Sequence, residues 1–231
     1  MAFNIFDKVG DDFMSKDSDK EEAGTMNLHP EGVYFLSMQG ADMRIYKSSN
    51  LAVECEYQVI AKDAGKPSKD TGTIMEEPVS KARIWSRHFL FLLSDKANPE
   101  FGYRVNDIGS RIFLQMLQAL SGYETKEELM KVYSCDIEEV HNEDGNIINA
   151  DVISQFYADQ VNMLCNQMIV KSEIFIRESN EYRSNELKWY RALSSYEDKA
   201  LKLFTDSDGV NLEEVSEDLE ITIETDDDVP F

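Results

Sequence analysis

Cationic and aromatic side chains alternate along residues 82–93, and this pattern is suited to binding an extended ligand. If the segment is a β-strand, one of its faces carries Arg83, Trp85, Arg87 and Phe89. The bases of a single-stranded nucleic acid stack on aromatic rings, and guanidinium groups bind its phosphates. The spacing therefore predicts a surface for single-stranded nucleic acid. The alternative is that Trp85 belongs to the core and that both arginines lie at a solvated edge.

Similar mixtures of cations and rings occur in other strand-like segments. The net charge of −22 argues against a polyanionic partner, because phosphate binding needs a basic surface. Positive balance is, however, confined to residues 43–111 and 166–205, and all of the candidate contacts lie there. These candidates are Arg44, Tyr46, Lys62, Arg83, Trp85, Arg87, Lys171, Phe175, Arg177, Tyr182, Arg183, Lys188 and Trp189.

Five strands are predicted to position these side chains, because their sequences are β-prone or alternate with a period of two. They span residues 33–38, 51–59, 82–93, 168–177 and a segment around 187–191. The Gly- and Pro-containing residues 62–80 are predicted to form a long loop. His88 is expected to be a core histidine, since it lies on the apolar face of the third strand.

Helices are predicted between the third and fourth strands. Asp107 is the expected N-cap of the first, whose apolar stripe is Ile108, Ile112, Met116 and Leu120. Thr125 and Glu128 form the pattern of a capping box for a second helix, and Asp151 is the expected N-cap of a third. Residues 135–149 are predicted to be an acidic loop, since they lack the ligand spacing of a calcium site. A short helix at residues 195–204 follows the last strand.

This order of elements predicts a mainly β fold with an α insertion. It matches an OB-fold-like five-stranded barrel with a helical insertion between strands 3 and 4 and a disordered acidic C-terminal tail. The expected organisation is an N-terminal arm and flexible leader at 1–27, the barrel domain at 28–205 with its insertion at about 106–165, and the tail at 206–231.

The tail contains eleven Asp or Glu residues and no Lys or Arg, so self-repulsion should keep it extended and solvated. At its end the apolar segment Val229, Pro230 and Phe231, with a free α-carboxylate, directly follows three aspartates. This pattern is typical of a peptide ligand for a hydrophobic pocket with a basic rim. A generic solubilising tail is the alternative. The predicted partner-binding residues are Asp226, Asp227, Asp228, Val229, Pro230 and Phe231.

The ending resembles the acidic tip of bacterial single-stranded DNA-binding proteins, which reads Asp-Asp-Asp-Ile-Pro-Phe; here Val229 replaces the isoleucine. The body resembles the divergent single-stranded DNA-binding proteins of bacteriophages, because Glu31 to Tyr34 open a strand and a helix after the third strand ends at Leu120 to Gly122. The resemblance implies a protein that coats single strands in replication, recombination or repair. It also implies that the tip recruits partner enzymes.

The sequence has no Gly-rich phosphate loop, nucleophile elbow, paired histidines or zinc spacing. We therefore expect no enzymatic activity, no cofactor and no metal. The alternative function is an acidic DNA-mimic or interaction protein that inhibits a host DNA-binding enzyme without binding DNA. A metal-dependent nuclease with clustered carboxylates is a weaker third reading, since no ligand spacing supports it.

Other features concern compartment and assembly. The N-terminus lacks a secretory signal and no apolar run reaches eighteen residues, so the expected location is the cytoplasm, or the host cytoplasm for a phage protein. Cys55, Cys135 and Cys165 are expected to be reduced and buried. The apolar arm at residues 1–9 could pack on its own domain or on a neighbouring subunit, so a homo-oligomer is left open.

Overall fold

A computed structural model describes residues 2–8, 28–46, 50–64, 75–79, 83–95, 99–178 and 183–206. Its strands are β1 (Gly32–Ile45), β2 (Leu51–Asp63), β3 (Met75–Glu76), β4 (Arg83–Leu93), β5 (Tyr103–Val105), β6 (Ile169–Glu178) and β7 (Arg183–Arg191). Its α-helices are α1 (Ile5–Lys8), α2 (Asp107–Ser121), α3 (Lys126–Tyr133), α4 (Ala150–Cys165) and α5 (Ser195–Asp206). A 3-10 turn spans Pro99–Phe101.

The strands form one antiparallel sheet in the order β5-β4-β2-β1-β6-β7, and β3 pairs with the end of β2. Three strands separate β4 from β7 along this path. Even so, the rings of His88 on β4 and Tyr190 on β7 lie 6.1 Å apart, and Tyr57 on β2 lies 6.3 Å from Tyr190. The sheet is therefore curled, with an inner face that brings its distant strands together.

The inner face is apolar because side chains alternate along each strand. On β2, the inward residues Leu51, Val53, Cys55, Tyr57 and Val59 are buried, while Glu54, Glu56 and Gln58 point outward. Irregular register near Leu36 and Met38 in β1 interrupts this alternation. Such bulges bend a strand and increase its twist, which is consistent with the curl.

Helices α2 and α4 fill the inner face, and their buried residues share one core with the sheet. Phe113 of α2 and Tyr157 of α4 pack edge to face at 5.7 Å. The start of α2 approaches β4 closely at Gly109, where an added Cβ would lie 2.1 Å from the Phe89 carbonyl oxygen. Only glycine permits this approach.

The N-terminal arm is buried in its own domain. Phe3, Ile5 and Phe6 have no exposed surface, and the Phe3 ring lies 5.3 Å from Phe91 and 6.0 Å from Tyr157. Burying such a side chain stabilises a fold by about 1.5–3 kcal/mol. The arm is thus part of the hydrophobic core in the structure of the single chain.

A smaller second core lies on the outer face of the sheet. There α5 places Leu201 against Phe35 of β1, Ala61 of β2 and Met75 of β3. Among the described residues, α5 packs on this part of the outer face, and the neighbouring part is formed by β4 and the middle of β2.

Several predicted boundaries are corrected. The described residues contain seven strands rather than five, because β3 and β5 are too short to show a period in the sequence. β1 runs to Ile45, β2 extends into the predicted loop as far as Asp63, and β7 begins at Arg183. The N-cap positions of α2 and α4 are Asn106 and Asn149, not Asp107 and Asp151.

Other local predictions can also be compared with the structure. Ile108 is 69% exposed and so is not part of the core stripe of α2, whereas Ile112, Met116 and Leu120 are buried. The capping box of α3 is confirmed, since Glu128 N–H donates to Thr125 Oγ1 and Thr125 N–H donates to Glu128 Oε2. All three cysteines are free and buried, and His88 is a core residue, as predicted.

Candidate nucleic-acid interface

The outward side chains of β4 follow the predicted alternation. Arg83 is exposed and Trp85, Arg87 and Phe89 are half-buried, while the residues between them are buried. Together with Arg44 and Tyr46, these four residues form a surface that we call the arginine face. Trp85 therefore lies outside the hydrophobic core, on the outer side of the sheet.

Carboxylates from β2 lie within the arginine face. The register of β2 and β4 pairs Glu54 with Arg87 and Glu56 with Trp85. The Glu54 carboxylate accepts a hydrogen bond of 3.4 Å from Arg87 Nε, and Glu56 accepts one from Arg83 Nη1. Exposed ion pairs of this kind contribute about 0–1 kcal/mol each to stability. Their main effect here is to orient the guanidinium groups.

Tyr46, which follows β1, brings an aromatic ring over this surface. Its ring centroid lies 5.4 Å from that of Phe89, and the guanidinium carbon of Arg87 lies 5.0 Å above the Tyr46 ring. Its hydroxyl donates to Glu54 Oε2. Burial, together with this hydrogen bond, raises the pKa of Tyr46. The phenol therefore keeps its proton to higher pH than an ordinary tyrosine, and this proton is donated to Glu54.

Arg44 completes the cation group from the edge of β1. Its Nε lies 3.6 Å from Glu54 Oε1 and its Nη2 lies 3.2 Å from Asp42 Oδ2. More than half of its side chain is exposed, so a ligand can reach it from solvent. The arginine face thus combines aromatic rings with accessible guanidinium groups, an arrangement that can bind bases and phosphates together.

A second group of predicted residues lies on the outward side of β6 and β7. The indole Nε1 of Trp189 donates to Glu173 Oε2 at 3.0 Å, and Lys188 Nζ lies 3.5 Å from the same oxygen. The guanidinium of Arg191 lies 4.9 Å from the Trp189 ring. This group therefore repeats the combination of ring, cation and carboxylate.

Arg177 and Phe175 lie further along β6, near one buried acid. Arg177 Nη1 donates to Glu186 Oε1 at 2.9 Å, and the Glu186 side chain is only 1% exposed. Phe175 is half-buried and pairs with Glu186 across β6 and β7. The structure brings Phe175, Arg177, Lys188 and Trp189 to one strand pair, but on the opposite side of β1 from β4.

Lys171 is enclosed by acidic groups. Its Nζ lies 2.6 Å from Asp63 Oδ2 on β2 and 2.6 Å from Glu197 Oε1 on α5, and it lies 5.4 Å from the Phe35 ring. We call Lys171, Asp63 and Glu197 the lysine clamp. Burial alone would lower the pKa of Lys171, but the hydrogen bonds that it donates to both carboxylates outweigh burial, and the pKa is raised.

The remaining predicted residues are separate. Lys62 pairs with Tyr34, and its Cε would lie 3.1 Å from a Cβ added at Gly32, so it lies at the end of β2 away from Arg87. Arg183 is the first residue of β7. Tyr182 and the tip residues 226–231 lie outside the described residues.

Sequence reasoning missed several residues that shape the interface. Glu54 and Glu56 were visible as polar alternation in β2, but nothing in one strand reveals which residues of the next strand it will face. Glu173 and Arg191, on β6 and β7, were likewise missed as partners of Trp189. Phe89 was placed on the correct face but was not among the candidate contacts.

The described parts of the chain show neither a metal-binding cluster nor a membrane-spanning helix. Within those residues, no group of three or more His, Cys, Asp or Glu side chains is arranged to hold a metal ion. None of the helices described is long and apolar enough to cross a membrane.

The chain was also compared with known proteins. No protein-family model matches the sequence, and no curated protein shows significant similarity to it.

Proposed function

We propose that the chain is a sequence-independent single-stranded DNA-binding protein that coats and protects single strands in replication, recombination or repair. The strand order supports this. β1 pairs with β2 and with β6, β4 follows β2, and β7 follows β6. With a helical segment before β6, this is the order expected of a five-stranded, partly open OB-type barrel built from the five long strands. In that fold, oligonucleotides bind to the outer face of the second and third strands and to neighbouring loops.

The observation that carries the proposal is the cluster of Arg87, Tyr46 and Phe89 on that face. The guanidinium of Arg87 lies 5.0 Å from the Tyr46 ring, the Phe89 ring lies 5.4 Å from it in a tilted arrangement, and the half-buried Trp85 lies on the same face. Stacking of a base on such a ring contributes about 1–3 kcal/mol whatever the base. This accounts for binding without sequence preference.

The test is a titration with an oligothymidine, monitored by tryptophan fluorescence. We expect quenching, an affinity that falls with salt at a log–log slope of about −0.7 per phosphate neutralised, and a loss of about 1–3 kcal/mol in Trp85→Ala. Tyr196→Ala is a matched control, because Tyr196 is an exposed ring on α5. Absence of binding by the wild type at low salt would refute the proposal. Equal affinity of Trp85→Ala and wild type would remove Trp85 from the interface.

We also propose that residues 226–231 recruit partner enzymes. Support comes from their sequence, in which the apolar residues Val229, Pro230 and Phe231 follow three aspartates. The tail follows α5 in the sequence and carries eleven acidic residues, which we propose compete with DNA for the basic surface.

Two tail deletions separate these roles. Removing residues 207–231 should raise DNA affinity, most strongly at low salt, because screening is weakest there. Deleting only Phe231 should leave DNA affinity unchanged but prevent the capture of DNA-repair enzymes, since its burial is worth about 1.5–3 kcal/mol. Equal capture by both the wild type and the Phe231 deletion would show that charge alone recruits the enzymes.

A second candidate function is an acidic interaction protein that inhibits a DNA-binding enzyme without binding DNA. The observation in its favour is that Arg44, Arg83 and Arg87 all lie against carboxylates. In that case the arginines would only stabilise an acidic surface. The titration separates the two functions, because this second protein would show no quenching by oligothymidine at any salt concentration.

A further inference from the structure

Glu54 lies at the centre of the arginine face and is contacted from three directions. Tyr46 donates its hydroxyl to Oε2, Arg87 Nε lies 3.4 Å from Oε2, and Arg44 Nε lies 3.6 Å from Oε1. These donors come from the end of β1 and from β4, on either side of the strand that carries Glu54. Only 18% of the Glu54 side chain is exposed, against 57% for Arg44 and 27% for Arg87.

A phosphodiester presents the same chemistry as this carboxylate. Both are anions with two accepting oxygens, and both form charge-assisted hydrogen bonds to guanidinium and hydroxyl donors. The donors around Glu54 are more exposed than Glu54 itself. A phosphate arriving from solvent can therefore reach the outer sides of Arg44 and Arg87, but has to share them with a fixed negative charge.

We propose that Glu54 is a built-in phosphate substitute, which holds Arg44 and Arg87 as a preformed phosphate site, while accepting the Tyr46 hydroxyl, and limits the affinity of that site for free anions. The inference rests on the proposed DNA-binding function only for the identity of the natural ligand. It assigns two opposing effects to one side chain. The carboxylate orders the donors, and its charge repels the phosphate that uses them.

The arrangement favours a polymer over a small anion. A single phosphate gains binding energy only from two guanidinium groups that it shares with Glu54. A single-stranded nucleic acid also gains base stacking on Tyr46, Phe89 and Trp85. The repulsion from Glu54 is thus overcome by ligands that bring bases as well as phosphates. Glu54 is therefore a positioning and affinity-limiting residue.

Glu54→Gln separates the two effects, because the amide oxygen still accepts a hydrogen bond but carries no charge. We expect oligothymidine affinity at low salt to rise about fivefold to tenfold, and the log–log salt slope to steepen by about 0.7, as for one additional phosphate. Glu54→Ala should gain less than Glu54→Gln, since Arg87 and Tyr46 lose the group that orders them. A purely electrostatic role would make the two variants equal.

Glu143→Gln is the control for net charge, because Glu143 is an exposed turn residue in the segment between α3 and α4. An equal gain in Glu143→Gln and Glu54→Gln would overturn the inference while leaving DNA binding itself established. A loss of affinity in Glu54→Gln would overturn it as well.

A second measurement does not depend on DNA. Titration with inorganic phosphate, followed through the arginine Nε–H resonances in NMR spectra, should shift the signals of Arg44 and Arg87 in Glu54→Gln at concentrations that leave the wild type unchanged. If phosphate shifts these signals only in the variant and neither protein binds oligothymidine, the phosphate site stands and the proposed function fails. Identical responses of both proteins to phosphate would refute the inference.

Discussion

The arginine face and the lysine clamp are built from the same kinds of residue and differ in what covers them. Each has cations next to an aromatic ring and to carboxylates on the outer side of one sheet. In the lysine clamp, the side chains of Lys171, Asp63 and Glu197 are only 18%, 12% and 15% exposed, because α5 lies over them. In the arginine face, Arg44 and Arg83 are 57% and 53% exposed, while the central pair of Arg87 and Glu54 is more enclosed, at 27% and 18%.

Burial decides what such a cluster does. In water, an ion pair contributes little to stability and its donors remain available to a ligand. Under a helix the same pair is poorly screened, and a partner left unpaired there costs several kcal/mol. The difference in burial supports the proposal that the arginine face binds a ligand, whereas the lysine clamp attaches α5 to the sheet, although both clusters matched the same sequence pattern.

Replacing one cation of each cluster is the strongest test of this difference. Lys171→Met should lower the free energy of unfolding by about 1.5–3 kcal/mol, because it leaves two largely buried carboxylates without their shared cation. The matched variant Arg83→Met should lower it by less than about 1 kcal/mol, since its partner Glu56 stays solvated. Equilibrium denaturation measures both.

The result also has a clear opposite outcome. If both variants lose the same stability, burial under α5 does not distinguish the two clusters. Lys171 would then again be a candidate ligand contact. Oligothymidine affinity supplies the second readout, because Arg83→Met should weaken binding while Lys171→Met leaves the arginine face in place.

The alternation that placed side chains on faces was predictable from sequence. Arg83 and Arg87 point outward and His88 inward, because period two in a strand depends only on the strand itself. Alternation also places Trp85 on the face of the two arginines, but whether the core covers that residue was left open by the sequence. The capping box at Thr125 and Glu128 was equally readable, since both partners lie within one helical turn.

Cross-strand partners were not predictable, because they depend on register between segments distant in sequence. The pairing of Glu54 with Arg87 is set by the β2–β4 register, and the position of Lys62 depends on an irregularity near Leu36. The enclosure of Lys171 needs α5, which begins more than twenty residues later. The pattern within one β-strand indicates which face of the strand a cation occupies, but not whether another element covers that face.

The pH dependence of the lysine clamp gives the smaller, final test of the comparison. Burial acts to raise the pKa of Glu197, but hydrogen bonds from Lys171 and Ser194 outweigh it, and the pKa lies below its ordinary value of 4.5. The pKa of Lys171 lies above its ordinary value of 10.5. A lowered acid pKa stabilises the fold above pH 4.5, and this contribution is lost as pH falls through the folded-state value. A raised lysine pKa stabilises it below pH 10.5, and this contribution is lost as pH rises through the folded-state value.

The clamp should therefore contribute its full stability between these limits. The difference in unfolding free energy between the wild type and Lys171→Met should be constant from about pH 5 to pH 10 and should shrink in stronger acid. Taking this difference removes the contribution of other carboxylates that titrate in the same range. Its change should be smaller than the whole effect of Lys171→Met, because protonating Glu197 leaves Asp63 in contact with the lysine. Denaturation of both proteins from pH 3 to pH 7 measures this change.

Arg83→Met is the control for this prediction. The difference in unfolding free energy between the wild type and Arg83→Met should vary less with pH, since solvent screens the pair with Glu56. A stronger acid dependence for Arg83→Met than for Lys171→Met would reverse the roles assigned to the two clusters.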